Sequence, residues 1–314
     1  KAKGERIRSM SDFKAGFIAI VGRPNTGKST LVNALVGTKI VITSHHPNTT
    51  RNPIRGIINR DSFQMIVVDT PGMHKPKTAL GTRLNSMVNE NINSTDAVVL
   101  CLPANEDIGA GDEYIAKQIK GRQEVFLVVT KVDTVSKSEL AAKLVLVTEF
   151  AQKVGQEKAE IIPISAKNLE QTDLLLDLLA KKLPISPALY PTDINTDQVQ
   201  ELMFADLIRE AAIEELYEEL PHSVMVTIEE MGERDNGKIF DISATLHVER
   251  DSQKGIIIGP QGTKLKAIGS TARKSIENIV GLQVFLQIHV KVSKEWQKDP
   301  KLLAKLGFTD SLSD

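Results

Sequence analysis

The feature that most constrains the fold of this chain is a glycine-rich loop between an apolar run and a helical pattern. The loop reads GRPNTGKS and covers 22–29, directly after the apolar residues 17–21. Leu31 and Leu35 follow it at a helical spacing. A strand, a loop and a helix in this order direct backbone N–H groups and a helix N-terminus at one point, an arrangement that holds phosphate groups.

Several residues of this loop have a predicted role in nucleotide binding. Lys28 would reach the terminal phosphates, and the Ser29 hydroxyl would hold Mg²⁺. A glycine-containing turn without a ligand is the alternative, which the complete G-x-x-x-x-G-K-S spacing disfavours. The predicted contacts of the loop are Gly22, Arg23, Pro24, Asn25, Thr26, Gly27, Lys28, Ser29 and Thr30.

Three further motifs follow in the order that a guanine-nucleotide switch needs: DTPG at 69–72, TKVD at 130–133 and SAK at 165–167. Asp69 comes after an apolar run, where a carboxylate can contact Mg²⁺, and the Gly72 backbone N–H can sense the γ-phosphate. An ordinary turn at a strand end would explain D-x-x-G alone. It would not explain why the motif lies downstream of a phosphate loop.

Asp133 predicts a preference for guanine. Its carboxylate can accept hydrogen bonds from the ring N–H and the amino group of guanine, whereas adenine presents an acceptor at that edge. A mismatch costs about 1–3 kcal/mol for each buried group left unpaired. Lys131 would lay its stem along the base, and the Ala166 N–H would meet the keto oxygen. The predicted contacts on this side are Thr130, Lys131, Asp133, Ser165, Ala166 and Lys167. A P-loop ATPase or kinase is a third hypothesis, which this motif disfavours.

The polar loop at 48–51 is predicted to be the first switch segment. A threonine hydroxyl there can complete the Mg²⁺ shell only while the γ-phosphate is present. We choose Thr50 because it directly precedes Arg51, and Thr49 is the alternative. The predicted Mg²⁺ ligands are therefore Ser29, Thr50 and Asp69, and the predicted catalytic residues are Lys28, Thr50 and Gly72.

Short apolar runs alternate with helical patterns through the first part of the chain. The predicted strands are 18–21, 65–68, 98–102, 125–129 and 161–164, and 138–153 is a predicted helix. This alternation predicts an α/β P-loop GTPase domain at 15–183, with a mostly parallel sheet and helices on both faces. All four motifs follow strands, where open sheets bind ligands. The basic residues 1–14 are assigned to a flexible tail.

Prolines interrupt the pattern at 184–197, which we assign to an interdomain linker. A second, α+β domain is predicted at 198–314. Its predicted elements are a helix at 198–220, strands at 223–230 and 238–250, an apolar piece at 255–258, the loop GPQG at 259–262, a basic helix to about 280 and a strand at 283–292. The order helix, strand, strand, helix, G-x-x-G, helix, strand predicts a type II KH domain, whose loop clamps a nucleic-acid backbone.

The charge pattern of this second domain favours an anionic partner. Acidic residues predominate at 198–235 and basic residues at 250–301. The predicted RNA contacts are Lys254, Ile258, Gly259, Pro260, Gln261, Gly262, Lys264, Lys266 and Arg273. Aromatic residues are 4% of the chain, so base contacts are expected from backbone groups and from the aliphatic surface at 256–258. A solvated basic helix is the alternative.

From about 15 to 308 the chain resembles the Era family, bacterial GTPases of small-ribosomal-subunit assembly. The shared features are GRPNTGKS, the Thr49-Thr50-Arg51 segment, DTPG with an apolar residue after it, IIIGPQGTKLKAIG at 256–269, and the tail from 290 through Trp296 to Gly307. The resemblance implies that the KH domain, with a C-terminal helical tail, binds the 3′ end of small-subunit ribosomal RNA in the 30S subunit, favoured in the GTP state.

The resemblance has three further implications. Members of the wider group can use K⁺ held near a P-loop asparagine, for which Asn25 is the matching position. Thr130 stands where the family more often has asparagine. Its shorter side chain is expected to reach less far toward the P-loop than asparagine does. Pro260-Gln261 replaces a more usual basic or polar pair, so RNA phosphate contacts are expected to move onto Lys264 and Lys266.

Composition bears on the compartment and on an alternative function. The net charge is -1 at pH 7, so an anionic partner would have to bind at a local patch of basic residues. The single cysteine, Cys101, lies in an apolar run, which indicates a core residue and a reducing, cytoplasmic compartment. No apolar stretch is long enough for a transmembrane helix.

The alternative to an RNA-binding assembly factor is a regulatory GTPase. Its second domain would bind protein or, peripherally, the inner face of the cell membrane.

Met73 follows DTPG, where many such switches place glutamine to orient the attacking water. A thioether cannot donate a hydrogen bond to water, so we expect slow intrinsic GTP hydrolysis unless a partner, a cation or RNA supplies the group. Phosphate release from the purified protein alone measures this rate. Turnover of many GTP molecules per second would contradict the expectation.

Overall fold

The computed structural model describes residues 12–43, 54–73, 88, 92–122, 124–216, 224–234 and 237–294. These residues belong to two compact units. The first contains the described residues up to 41 and those of 54–197, and the second contains Ile42, Thr43 and the described residues from 198 onward. The predicted switch loop at 48–51, with Thr50, lies outside the described residues.

In the described part of the chain, the first unit is built on a six-stranded sheet. Its strands are β1 (Lys14–Val21), β2 (Ile54–Asn59), β3 (Phe63–Asp69), β4 (Ala97–Pro103), β5 (Val125–Thr130) and β6 (Glu160–Pro163). They lie in the order β2-β3-β1-β4-β5-β6, and β2 is antiparallel to β3 while the other neighbours are parallel. Since β1 lies between β3 and β4, the strand order reverses beside it, and ligands bind at the carboxyl ends of such strands.

Helices cover both faces of this sheet. They are α1 (Lys28–Val36), α2 (Ala110–Gln118), α3 (Lys137–Val154) and α4 (Thr172–Lys182). Leu31 of α1 and Leu175 of α4 pack in one apolar cluster, whereas Ile115 of α2 and Phe150 of α3 pack in another. The predicted α/β fold, mostly parallel with helices on both faces, is confirmed.

Alternate residues of the central strands enter these two clusters. In β5, Phe126 and Val128 pack with α1 and α4, while Leu127 and Val129 pack with α2 and α3. A parallel sheet that is buried on both faces requires such continuous apolar strands. Cys101 of β4 is also fully buried, and burial raises the pKa of its thiol to about 12, as expected for a core residue.

The segment 184–197, predicted to be a linker, packs with the first unit. Gln64 of β3 is fully buried; its Oε1 accepts from the Tyr190 N–H at 2.9 Å, and its Nε2 donates to the Tyr190 carbonyl at 2.8 Å. The Ile57 N–H of β2 donates to the Asn195 carbonyl at 2.8 Å. The segment therefore satisfies backbone groups of the edge strand, which would otherwise be open to pairing with another chain.

The assignment of Lys14 to a flexible tail is wrong. Its N–H donates to the Ser62 carbonyl at 3.2 Å, and the residue pairs with Phe63 as the first residue of β1. The strand starts earlier than the apolar run because β3 offers it a partner there. Residues 1–11 of the predicted tail lie outside the described residues.

The second unit contains a three-stranded sheet and three helices in its described part. Its elements are α5 (Gln200–Glu215), β7 (Met225–Glu233), β8 (Ile239–Val248), α6 (Asp251–Ile258), α7 (Thr263–Val280) and β9 (Gln283–Val292). β8 lies in the middle, antiparallel to β7 and parallel to β9. The predicted type II KH order is confirmed, and the predicted strand 283–292 has the bounds of β9.

The core of this unit lies between the sheet and the three helices. Phe204 of α5 contacts Phe240 of β8 edge to face, with 5.9 Å between ring centroids. Ile257 of α6 is fully buried in this cluster, so the prediction that 256–258 forms one aliphatic surface is wrong at that residue. A helix buries one side only, and Ile256 is 47% exposed. Among the described residues, none of the helices combines the length and apolar character needed to cross a membrane.

Candidate nucleotide and nucleic-acid sites

The phosphate loop connects the carboxyl end of β1 to the N-terminus of α1. Gly27 caps that helix with a φ of 87°, a left-handed conformation that glycine adopts without strain. The Thr26 hydroxyl and the Lys28 ammonium both donate to the Arg23 carbonyl, at 2.9 and 2.7 Å. These bonds close the loop around the first N–H groups of α1, which have no intrahelical acceptors.

Lys28 is 6% exposed, so its ammonium lies inside the loop. Burial lowers the pKa of Lys28, and the Asp69 carboxylate opposes this effect. An anionic ligand would also favour the charged form of this amine. The loop can therefore accept a phosphate group.

The DTPG motif and the residue after it contact the end of β1 and the phosphate loop. The Thr70 hydroxyl donates to the Ile20 carbonyl at 2.7 Å, and the Met73 N–H donates to the Gly22 carbonyl at 3.2 Å. A Cβ on Gly72 would lie 2.8 Å from Pro24, closer than side chains tolerate. Glycine at this position therefore lets the backbone lie beside the phosphate loop.

Two of the predicted Mg²⁺ ligands are adjacent. The Ser29 hydroxyl donates to Asp69 Oδ2 at 2.8 Å, and Asp69 is fully buried at the carboxyl end of β3. A hydroxyl and a carboxylate are hard oxygen donors, and Mg²⁺ takes few protein ligands while keeping several waters. The donor set fits Mg²⁺. Thr50, the third predicted ligand, lies outside the described residues.

The residues predicted to contact the guanine base lie where β5 and β6 end. The Ser165 hydroxyl donates to Asp133 Oδ1 at 2.7 Å and accepts from the Asn168 N–H at 3.1 Å. Ser165 is fully buried, whereas Asp133 is exposed. The carboxylate is thus held in one orientation at a surface that a ligand can reach. Ala166 and Lys167 follow Ser165 in the loop after β6.

Thr130 joins the two sides of the site. Its hydroxyl donates to the Thr26 carbonyl at 2.6 Å, and both residues are buried. The expectation that threonine would lose reach toward the phosphate loop is wrong. The last residue of β5 lies close enough to the loop for a short side chain to bridge the gap.

Sequence reasoning missed the partners of Arg23. The Arg23 guanidinium contacts Asp112, with 2.8 Å between Nε and Oδ1, and Glu106, with 3.3 Å between Nη2 and Oε2. Lys131 contacts the same Glu106 carboxylate at 3.4 Å. These acidic residues lie in the segment after β4, far from both motifs in sequence. The one local signal was a group of acidic residues after an apolar strand, which is common on protein surfaces.

The predicted RNA loop connects α6 to α7. Gly259 and Gly262 have positive φ values of 70° and 77°, which glycine adopts more readily than other residues. A Cβ on Gly259 would lie 2.9 Å from Lys264 Cγ, so the glycine lets that lysine fold across the loop. Gln261 also has a positive φ, 52°, which is uncommon for a non-glycine residue. The loop therefore has a fixed, tightly turned backbone.

The predicted RNA contacts lie around this loop and along α7. Pro260, Gln261, Lys266 and Arg273 are exposed, and Lys254, Ile258, Gly259, Gly262 and Lys264 are partly exposed. The Arg273 Nε lies 4.0 Å from Glu277 Oε1, a weak contact for two exposed side chains. These positive charges are accessible to an anionic backbone.

Comparisons with known proteins match both units. A family model described as 50S ribosome-binding GTPase matches residues 17–131, and a KH domain model matches 219–297. GTPase Era of Mycobacterium sp. (strain JLS) is 52% identical over 303 residues, covering 95% of this chain and 100% of the relative. The chain belongs to the Era GTPase family. GTPase Era of Mycobacterium tuberculosis (strain ATCC 25177 / H37Ra) is 49% identical over 304 residues, with the same coverage.

Two solved Era structures share the fold over nearly the whole chain. One is Era in complex with MgGDPNP and nucleotides 1506–1542 of 16S ribosomal RNA; it is 35% identical, with a TM-score of 0.89, covering 95% of this chain and 99% of that one. The other is a point variant of Aquifex aeolicus Era bound to GDP.AlF4-, also 35% identical, with a TM-score of 0.88 and coverage of 95% and 100%. Membership of the Era family confirms the predicted enzyme class, a GTPase.

Thr130→Val should weaken binding of GDP and GTP by about tenfold, because the buried Thr26 carbonyl loses its donor at a cost of about 1–3 kcal/mol. Equilibrium titration with fluorescent GDP and GTP analogues measures both affinities. Thr130→Ser is the matched control, since it keeps the hydroxyl, and it should bind within about threefold of the wild type. Equal affinities for the valine variant and the wild type would contradict the bridging role.

Proposed function

We propose that this Era family member hydrolyses GTP with Mg²⁺ in its first unit. We further propose that its second unit binds the 3′ end region of small-subunit ribosomal RNA during assembly of the 30S subunit. The observation that carries the proposal is the convergence of the phosphate loop, the Ser29–Asp69 pair and the oriented Asp133 carboxylate at the carboxyl edge of one sheet. The related Era structure with MgGDPNP and 16S ribosomal RNA supports the choice of ligands.

Guanine is selected by the acceptor capacity of Asp133. A carboxylate has about four acceptor positions, and the Ser165 hydroxyl uses one of them. The remaining capacity serves the ring N–H and the amino group of guanine. Lys131 covers one face of the base with its methylene stem, and the Ala166 N–H meets the keto oxygen. Adenine offers none of these complementary groups.

The phosphates bind at the opposite end of the site. Lys28 and the N–H groups that begin α1 contact them, and Gly72 beside Pro24 senses the γ-phosphate. Ser29, Asp69 and Thr50 would hold Mg²⁺, which neutralises negative charge on the phosphates when it is bound. The catalytic contribution of the chain is positioning and charge stabilisation by Lys28, Thr50 and Gly72.

The chain does not orient the attacking water with the side chain that follows DTPG. Met73 is fully buried in the apolar cluster under α2 and α3, and its N–H donates to the Gly22 carbonyl. We propose that a partner, RNA or a cation supplies the group that orients the water. We assign Asn25, the P-loop asparagine with a φ of 63°, as the residue that would hold K⁺.

The RNA backbone is bound by the loop between α6 and α7. Its two glycines with positive φ let phosphates approach the backbone closely. Lys264, folded across Gly259, and the exposed Lys266 supply positive charge. Ile256, which is 47% exposed, offers an aliphatic surface to a base. Affinity should therefore fall as salt rises.

We propose that 15–183 carries the GTPase function, with Lys14 and 184–197 as further parts of the same unit, and that 198–314 binds RNA. A cytoplasmic location and peripheral association with the membrane remain predictions from the sequence. The same holds for the helical tail, whose residues from 295 onward lie outside the described residues.

Asp133→Asn should lower GTP affinity by at least about tenfold and raise affinity for xanthosine triphosphate, because an amide donates where the carboxylate accepted. Xanthine has a carbonyl where guanine has its amino group. Competition against a fluorescent GDP analogue measures both constants. The exposed Asp177→Asn on α4 is the control and should match the wild type. Unchanged GTP affinity, or effective competition by ATP, would refute the guanine site.

Gly262→Asp should abolish binding to an oligonucleotide of the 16S ribosomal RNA 3′ end while GTP binding stays within error. The added carboxylate repels phosphates where the backbone must meet them. A Cβ at Gly262 meets no atom within 4 Å, so the substitution has room, although its φ of 77° adds strain. Filter binding with a non-hydrolysable GTP analogue measures the RNA affinity.

Gly281→Asp is the matched control for Gly262→Asp. Gly281 caps the other end of α7 with a φ of 70°, and its Cβ would also meet nothing within 4 Å. It therefore reproduces the backbone strain and the added charge at a distance from the loop, and it should keep RNA affinity within about threefold. Wild-type RNA affinity in the Gly262 variant would refute the RNA assignment.

A further inference from the structure

Arg23, the second residue of the phosphate loop, directs its guanidinium toward an acidic segment (106–112) that follows β4. Its Nε donates to Asp112 Oδ1 at 2.8 Å, and its Nη2 lies 3.3 Å from Glu106 Oε2. Gly111 makes room for this side chain, since a Cβ there would lie 2.6 Å from Arg23 Cδ. The phosphate loop is thereby docked onto the acidic segment.

Lys131, the lysine of the base motif, contacts the same segment. Its Nζ lies 3.4 Å from Glu106 Oε1. One carboxylate therefore contacts a phosphate-loop residue with one oxygen and a base-loop residue with the other. Lys131 has a φ of 58°, a conformation that is uncommon outside glycine, so its surroundings must hold it there.

The backbone of Glu106 is also bound by a neighbouring helix. The buried Lys143 ammonium of α3 donates to the Glu106 carbonyl. Burial lowers the pKa of Lys143, and Asp112 and Asp107 oppose that effect. Asp112 is fixed in turn, because its Oδ2 accepts from the Gly109 N–H at 2.9 Å at the start of α2. The acidic segment is thus bonded to α3 through Lys143 and continues directly into α2.

We propose that Glu106 is a positioning residue for the nucleotide. By holding Arg23 and Lys131 together, its carboxylate fixes the separation between the phosphate loop and the base loop. The proposal rests on the guanine-nucleotide function of the first unit, given above. In this role Glu106 acts through the two cations that belong to the two loops, Arg23 and Lys131.

This arrangement predicts which kinetic step depends on Glu106. Both loops contact parts that GDP and GTP share, so loss of the carboxylate affects the two nucleotides equally. A bound nucleotide is released when the two loops separate, so the change appears in the dissociation rate and in KM. The Lys28 ammonium is held by the Arg23 carbonyl and the Ser29 hydroxyl by Asp69, and neither bond involves the Glu106 carboxylate, so kcat is expected to stay unchanged.

The test is Glu106→Gln, which keeps the size of the side chain and removes its charge. The dissociation rate of a fluorescent GDP analogue, measured by stopped flow at low salt, should rise about fivefold, because two partly exposed charge pairs are lost. KM for GTP should rise by the same factor with kcat unchanged. Added salt should speed dissociation from the wild type more than from the variant, since salt screens these pairs.

Glu113→Gln is the matched control, because Glu113 lies on α2 with similar exposure and pairs with exposed Lys153 at 2.6 Å. It should leave the dissociation rate unchanged. Glu106→Asp keeps the charge on a shorter stem and should raise the rate less than glutamine does. If Glu106→Gln fails to fold, Glu106→Asp alone tests the proposal. Its dissociation rate is then expected to be about twofold above that of the wild type.

The proposal would be overturned by an unchanged dissociation rate in Glu106→Gln, by a fall in kcat without a change in KM, or by an equal effect of Glu113→Gln. A lower melting temperature of the nucleotide-free variant, large enough to explain the weaker binding, would also overturn it. If the wild type itself binds no guanine nucleotide, the proposed function of the unit fails instead, and titration of the wild type distinguishes the two cases.

Discussion

The nucleotide site depends on one buried hydrogen bond, from the Thr130 hydroxyl to the Thr26 carbonyl. It joins the loop after β1 to the loop after β5, and these two loops would hold opposite ends of a nucleotide. Parallel strands bring their carboxyl ends to one edge of the sheet, but they do not by themselves fix how far apart the loops lie. The hydroxyl sets that distance at the buried side, and we propose that the Arg23–Glu106–Lys131 contacts set it at the more exposed side.

The two proposed sites both use glycine, for different physical reasons. Gly72 allows the DTPG backbone to lie against Pro24, where a Cβ would clash. Gly262 meets no such neighbour, and its positive φ turns the chain between α6 and α7. In the first case glycine permits close approach of two protein segments. In the second, we propose, it presents the backbone to RNA.

Much of the fold could be predicted from periodicity because the core strands are continuous apolar runs. The runs that became β1, β3, β4 and β5 stand out since both sheet faces are buried there, whereas the short edge strand β6 has one buried residue. β2 was missed because an antiparallel edge strand has no such run, and its partner in 184–197 was taken for a linker. The buried amide of Gln64 decides the path of that segment, and no local pattern reveals that a single glutamine will be buried.

The sequence by itself determined the chemistry of the proposed sites. A phosphate loop, a carboxylate for Mg²⁺, Asp133 and a G-x-x-G loop each require certain residue types at short spacings, so each can be recognised locally. Only the tertiary structure decided which distant side chains support them: Ser165 behind Asp133, Thr130 against Thr26, and Glu106 between Arg23 and Lys131. These contacts join residues from different strand ends. Their partners are set by the packing of the sheet, which no short stretch of sequence encodes.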